Sequence, residues 1–407
     1  MSEKLLLVNA VSSRMGGGLN DLVHTIPLLC ERMQSEGWRV RTYVSTAGQR
    51  ALGQNSTISV EVASAKTLRQ RAIWETFTLP GIVRREQPNV VFHFSNFVSR
   101  NLPCPQMVVL RSPTFYSPDY QRLELRGFTH KVRQFLGKRI ARSTPSRADA
   151  TFCISAAQRD DVCSQANKVN RDVLVSHLGC EAPPESVASR ALSFDERLNL
   201  ASPPVRRQLQ RFVDQKRNPN LILNIAHYTI QKNLIDLLCA VQQLVQSGED
   251  VVLVITAGLL NYRGRVTSAV KRELDVARSL DGMGALIDLG SVSRQDVWAL
   301  LSMADVFAFP SSVESFGHPL LEAQAMGVPL VASATDVHRE VAGEGALYYE
   351  LGNVTQLANQ ISKLLNDSNL ATQLVEKGKS NSRTFTWESH VDDLVQKILQ
   401  LAQCEKP

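Results

Sequence analysis

The stretch SSVESFGHPLLEAQAMGVPLVAS, Ser311 to Ser333, carries two glutamates eight positions apart, Glu314 and Glu322. Glu314 lies in a Ser/Gly loop and does not stand in a Ser/Thr box before a helix, so capping does not explain it. An ionised carboxylate only accepts hydrogen bonds, and sugar hydroxyls are a natural partner for it there. Glu322 falls in the expected first turn of the helix PLLEAQAM, which Pro319 opens and Gly327 and Pro329 close. Two readings apply to it: complement to the helix dipole, or a hold on two vicinal hydroxyls such as those of a ribose.

Two further loops could hold an anion. SSRMGGGLND (12–21) sets Gly16, Gly17 and Gly18 between a first strand and a first helix. Glycines let a ligand approach the backbone, and a helix N-terminus offers N–H groups to a phosphate; the plain alternative is a tight turn. The loop is a poor dinucleotide fingerprint, because Asp21 takes the third glycine position and the second strand, RVRTYVST, ends without a ribose-binding acid. In AHYTIQKN (226–233), Lys232 stands at a helix start, where the macrodipole disfavours a cation unless a phosphate is bound. The plain alternative is a solvated surface lysine.

The elements that position these loops alternate strand and helix twice over. KLLLVNA (4–10), RVRTYVS, NVVFHF (89–94), QMVVLRS, ATFCIS and DVLVSHLG (172–179) are strand-like in the first half. NLILNIAH (220–227), DVVLVITAG, ALIDLG, DVFAFPS, VPLVAS and ALYYE follow in the second. Such runs are continuous rather than alternating, as strands buried on both faces are. They predict an α/β protein with two open parallel sheets, and ligands bind at the carboxyl ends of strands in such sheets. Two facing sheets would put the site in a cleft. The Pro pairs of CEAPPES and ASPPVRRQ mark a linker, so that the domains are read as 1–185, a linker over 186–216, and 217–385.

Composition sets outer bounds. The 407 residues suit two domains, and 43% apolar with 21% charged residues suits a globular chain. A net charge of +6 is mild; it fits a surface meeting phosphates, nucleotides or anionic headgroups, and no nucleic acid partner is expected. Seven scattered cysteines with no Cys-x-x-Cys pair argue against a zinc site and for reduced thiols in the cytosol. No apolar run approaches the ~20 residues of a membrane span, and KLLLVNAV is too short for a secretory signal. The basic amphipathic segment 122–147 has two readings, a core-facing helix or one lying on anionic lipid, at the inner face of the membrane.

From Leu286 to about Leu365 the chain resembles the retaining family 4 glycosyltransferases, of the GT-B fold. The frame PS…ESFG.PLLEA.A.G.P..AS carries the family's E-x₇-E motif as Glu314 and Glu322, with weaker likeness in the glycine loop, ATFCIS, VSHLG, QKN and FTWESHVDDL. The resemblance implies two Rossmann-like domains facing across a cleft, an N-terminal acceptor domain and a C-terminal donor domain, with residues 386–407 as a helix crossing back to the first. It implies roles as well: Glu322 on the donor ribose, Glu314 near the reacting carbon, and Phe316, Gly317 and His318 offering N–H groups or contacts to sugar and diphosphate. Lys232 would neutralise the leaving diphosphate, and Gly16 to Gly18 would line the donor diphosphate and acceptor from the other domain.

Two positions depart from the family pattern. His227 stands where an arginine is usual, and Arg263 or Arg265 would have to supply the missing charge. Arg111 and Ser112 stand where many members have a histidine, with His93 as the substitute, either catalytic or packed at a strand end. The implied reaction moves a hexose-type sugar from a nucleoside-diphosphate sugar to a saccharide or lipid-linked acceptor hydroxyl with retention, by front-face attack, in cell-surface polysaccharide or glycolipid synthesis. No Asp-x-Asp metal motif is present, so no metal or other cofactor is expected. Two other classes stay open: a non-catalytic nucleotide-sugar-binding homologue, and another GT-B enzyme such as a nucleotide-sugar epimerase.

Overall fold

Runs of Val, Ile and Leu too continuous for one-sided burial become parallel strands, as the computed structural model shows. It describes residues 4–14, 16–53, 58–63, 65, 67–123, 135, 137–166, 173–188, 192–214 and 219–403. They divide into two units, Met1–Gly179 with Phe385–Pro407, and Cys180–Thr384.

The first unit holds β1 (Lys4–Ala10), β2 (Trp38–Val44), β3 (Ser59–Val62), β4 (Val90–His93), β5 (Gln106–Leu110), β6 (Ala150–Cys153) and β7 (Val173–Val175). All pairings are parallel, in the order β3-β2-β1-β4-β5-β6-β7, with Leu6 opposite both Val40 and Val90. The helix Gly17–Ser35 buries Leu22, Ile26, Leu29 and Met33, the face expected from the apolar spacing. β3 was not legible: it is an edge strand with mostly exposed side chains, so no apolar run marks it.

The second unit holds β8 (Asn220–Asn224), β9 (Val251–Ile255), β10 (Leu286–Asp288), β11 (Val306–Phe309), β12 (Leu330–Ser333) and β13 (Leu347–Tyr349), in the parallel order β10-β9-β8-β11-β12-β13. Numbered within the unit this is 3-2-1-4-5-6, the doubly wound nucleotide-binding order. Residues 186–216 were expected to be a linker and are not. Most of this stretch is helical, with Phe194–Leu200 and Pro203–Asp214 on the second unit. Ser193 and Glu196 form a capping box, Leu198, Val205 and Leu209 are buried, and the Ser202 N–H donates to Asp296 at 2.7 Å. The Pro pairs open helices, since proline is tolerated in a first turn.

The last described helix, Trp387–Gln403, belongs to the first unit, where it packs on Gly17–Ser35 and β4. Trp387 stacks on His24 at 4.8 Å, and the Ser176 hydroxyl lies 2.8 Å from His390 Nδ1.

Three buried histidines make stability pH-dependent. Burial lowers His93 and His338 from the ordinary 6.5 to about 4, and His390 to about 3. The unfolded chain therefore binds protons that the folded chain refuses between those values. The stabilisation is complete above pH 6.5 and is lost as pH falls towards 4. Urea midpoints should drop over that window, and less steeply in His338→Gln; a midpoint flat from pH 7 to pH 5 would contradict the burial of these rings.

Candidate active site

In the second unit β8 and β11 are neighbours whose following connections leave in opposite directions, which opens a crevice at their carboxyl ends. The turn Ile230–Lys232 follows β8, and the loop Pro310–Gly317 follows β11. Backbone and side chains clamp the two together. The Ser312 N–H and hydroxyl both donate to the Gln231 carbonyl, at 2.8 and 3.1 Å, and Asn233 Nδ2 donates to the Pro310 carbonyl at 3.2 Å. One layer below, Asn224 Nδ2 donates to the Ala308 carbonyl at 2.8 Å.

This clamp sets Lys232 Nζ 2.5 Å from Glu314 Oε1, with side chains only 18% and 14% exposed. Lys232 also stands over the Phe309 ring, 5.6 Å from its centroid. Lys232 is thus not a solvated surface lysine. The cation at the helix start is balanced by Glu314, and removing one member of so buried a pair leaves an uncompensated charge. An anion arriving here competes with Glu314 for the ammonium, and a carboxylate released from it can turn to hydroxyls.

Glu322 lies on the helix His318–Met326, just past its first turn rather than in it, and is buried. Its side chain does not simply complement the dipole, because Arg294 Nη1 donates to Oε1 at 2.7 Å. Arg294 also gives Nε and Nη2 to Glu181 Oε2, at 3.0 and 2.6 Å, and lies 4.7 Å from the Trp298 ring centroid. Burial pushes the Glu322 carboxyl up and Arg294 opposes that rise. Burial works against the Arg294 charge, but the two carboxylates outweigh it and its pKa is raised. Gly317 precedes the helix at φ +96°, a conformation that favours glycine, and no side chain caps the helix. Phe316 is buried with its ring 5.2 Å from that of His318.

His338 was not anticipated. It is fully buried on the helix Asp336–Ala342, with Nδ1 2.9 Å from the Ser333 hydroxyl, which itself donates to the Ser311 carbonyl at 2.6 Å. Its ring meets Phe309 edge-on at 5.1 Å, so it lies under the loop that carries Glu314. Arg294 was missed as well. The capping box of SVSRQD was readable, but the partners of a first-turn arginine come from elsewhere in the chain.

In the first unit, β1 and β4 likewise adjoin, and the glycine loop follows β1. Gly16 needs glycine for its φ of +55°, whereas a Cβ on Gly17 would meet nothing within 4 Å and one on Gly18 only Ser13 Cα at 3.9 Å. The protein's own packing does not demand glycine at 17 or 18, which leaves that backbone open to a ligand. His93 gives a different result: it is buried within β4, with Nε2 3.0 Å from Gln106 Oε1 and Nδ1 3.3 Å from Asn9 Nδ2. Both nitrogens are engaged and the ring presents neither to a substrate, so the packed reading of His93 replaces the catalytic one. Arg111 is buried too, stacked 4.0 Å from the Phe94 ring centroid and paired with Asp21. His227, Arg263 and Arg265 are exposed. Residues 124–134 and 136 of the amphipathic segment 122–147 lie outside the described residues. Among the described residues no helix is long and apolar enough to cross a membrane, and no cluster of three or more His, Cys, Asp or Glu side chains could hold a metal ion.

Comparisons with known proteins bear on the family and the fold. The family model for glycosyl transferases group 1 matches residues 206–381, the stretch that carries Lys232, Glu314 and Glu322. O-antigen chain mannosyltransferase B of Escherichia coli is 33% identical over 101 residues, 25% of this chain and 26% of that protein. The chain spans only about a quarter of the length of this and similar curated relatives. A solved sucrose-phosphate synthase from Thermosynechococcus elongatus covers 98% of this chain and 99% of its own, at 15% identity and a TM-score of 0.70. HepE of Anabaena, solved in complex with UDP-glucose, covers 97% and 99% at 16% identity and a TM-score of 0.67. At these identities the likeness shows the fold: two Rossmann-like units of the GT-B type.

Proposed function

We propose that this chain is a glycosyltransferase that moves a sugar from a nucleoside-diphosphate sugar to an acceptor hydroxyl, with retention and without a metal ion. The observation that carries it is the Lys232–Glu314 pair at the switch point of the second sheet, with the buried Glu322 on the helix that follows. Charge gathers on the departing diphosphate as the sugar–oxygen bond breaks, and a fixed ammonium in a site this dry stabilises it best. In front-face attack the departing phosphate oxygen takes the acceptor proton, so no carboxylate nucleophile is needed under the ring. Glu314, released by the diphosphate, holds the sugar near its reacting carbon. Glu322 holds the ribose hydroxyls. The glycine loop of the first unit, Gly16 to Gly18, offers its open backbone to the acceptor. The acceptor is a saccharide or a lipid-linked saccharide, as in polysaccharide or glycolipid synthesis. The O-antigen mannosyltransferase and the UDP-glucose complex support this reading and put UDP-glucose and mannose donors first in the test.

Purified protein incubated with radiolabelled nucleotide sugars should release nucleoside diphosphate only when an acceptor is present, with EDTA making no difference and the product keeping the donor's anomeric configuration. A donor that binds and is never consumed would instead favour a binding protein. The two glutamates should separate in the same assay. Glu314→Ala should lower kcat by roughly a hundredfold with little change in nucleotide affinity. Glu322→Ala should weaken nucleotide binding roughly ten- to a hundredfold, the worth of hydrogen bonds to a charged group. Wild-type behaviour in both variants would remove the assignment.

A further inference from the structure

Arg294 is the least expected charge in the site. Its backbone is fixed where the helix Arg294–Met303 begins, because Ser293 and Asp296 form a capping box and Asp296 also takes the Ser202 N–H and hydroxyl, at 2.7 and 3.0 Å. Its guanidinium lies over Trp298 and carries two carboxylates at once, Glu181 and Glu322. On Glu322 it takes Oε1; among the described residues no partner takes Oε2. Two adjacent hydroxyls of a ribose need a carboxylate that is ionised, so that it only accepts, and that keeps one oxygen clear.

We propose that Arg294 is the positioning residue of the ribose site, holding Glu322 ionised and turned so that Oε2 faces the nucleotide, with Glu181 anchoring the guanidinium from the other side. This rests on the reading of Glu322 as the ribose ligand. Other charges near that helix do not take this part. The adjoining helix Asp336–Ala342 carries Asp336, His338, Arg339 and Glu340. His338 points to Ser333, and Arg339 lies over Tyr348. On the helix Ser368–Ser382, Lys377 pairs with Glu344 at 2.9 Å, and Lys379 lies 3.7 Å from Glu376. Cys180, pushed up to about 12 by burial, stays a neutral thiol. Without Arg294, burial would leave Glu322 protonated to higher pH, and a protonated acid spends its proton as a donor and loses an acceptor site.

The test compares affinities for UDP, GDP and ADP by calorimetry, then for the tightest of these against its 2′,3′-dideoxy analogue, at pH 6, 7 and 8. The intact protein should prefer the ribonucleotide roughly tenfold or more at every pH. Arg294→Leu should bring that ratio close to one at pH 6 and restore part of it at pH 8; Arg294→Lys should keep most of it. A purely structural role would weaken both nucleotides alike and leave the ratio intact, and melting temperatures of the two variants separate misfolding from loss of recognition. If Glu322→Ala leaves the ratio unchanged, the ribose reading itself fails. If Glu322→Ala abolishes the ratio while Arg294→Leu keeps it at all three pH values, the role given to Arg294 is overturned.

Discussion

Lys232→Ala is expected to lower turnover by roughly a hundred- to a thousandfold, the cost of one preorganised charge or donor aimed at a developing anion. Nζ is held at the carboxyl ends of β8 and β11 by a turn and a loop that bond to each other, so it costs no reorganisation when the diphosphate leaves. Lys232→Arg should recover only part of the rate, because a planar fork does not reproduce a compact ammonium. The variant also strands Glu314, which is only 14% exposed, so Lys232→Ala should lower stability as well. Lys232→Ala with Glu314→Ala should recover stability and not turnover, which separates the two effects. Steady-state rates with the identified donor, alongside thermal melting, read both. A folded Lys232→Ala protein that keeps a tenth of the wild-type rate would remove the leaving-group role.

Gly179→Ala should be the most destabilising small substitution in the first unit. A Cβ at this position would stand 2.4 Å from both the Trp387 backbone nitrogen and its Cγ, and 2.7 Å from its Cα. The neighbour is backbone as much as side chain, so no rotamer change relieves the clash. Overpacking of this kind costs about 3 kcal/mol. The last helix must shift or leave, and with it go the Trp387–His24 stack and the buried faces of Val391, Leu394 and Ile398. Melting should show a lower first transition, and limited proteolysis should cut within 385–403 in the variant and spare the parent. A melting curve unchanged by Gly179→Ala would mean that this helix is not held where the structure puts it.

What the sequence discloses follows from how local each cause is. β1, β8 and β11 are readable because burial on both faces writes an unbroken apolar run. The loop with Glu314 is readable because proline, glycine and an unexplained carboxylate sit together. The partner of Glu314 is less so: Lys232 lies 82 residues earlier, and only the strand order brings it near. Arg294 and His338 were invisible for the same reason; each sits in a helix that reads as ordinary, and its role comes from neighbours distant in the chain. The Pro pairs misled because proline opens helices as readily as it marks loops. His93 read as a candidate because it ends a strand beside the position where the resembled family has a histidine and this chain has Arg111; Gln106 on the next strand claims it instead.

The first unit is interrupted in the chain: its sheet is complete by Gly179, yet Phe385–Pro407 returns to it only after the whole of Cys180–Thr384. On the ribosome this order has a consequence. The seven-stranded sheet emerges first, but the surface that receives Trp387, Val391 and Leu394 waits uncovered while some two hundred further residues are made. The second unit is contiguous and can close as soon as it is out, since units generally fold on their own as they appear. Once closed it acts as a compact spacer and shortens the effective loop that the last helix must bridge. Of the two units, the one whose sheet is made first is therefore the one that finishes last, and its uncovered apolar surface is open to misassociation in the interval.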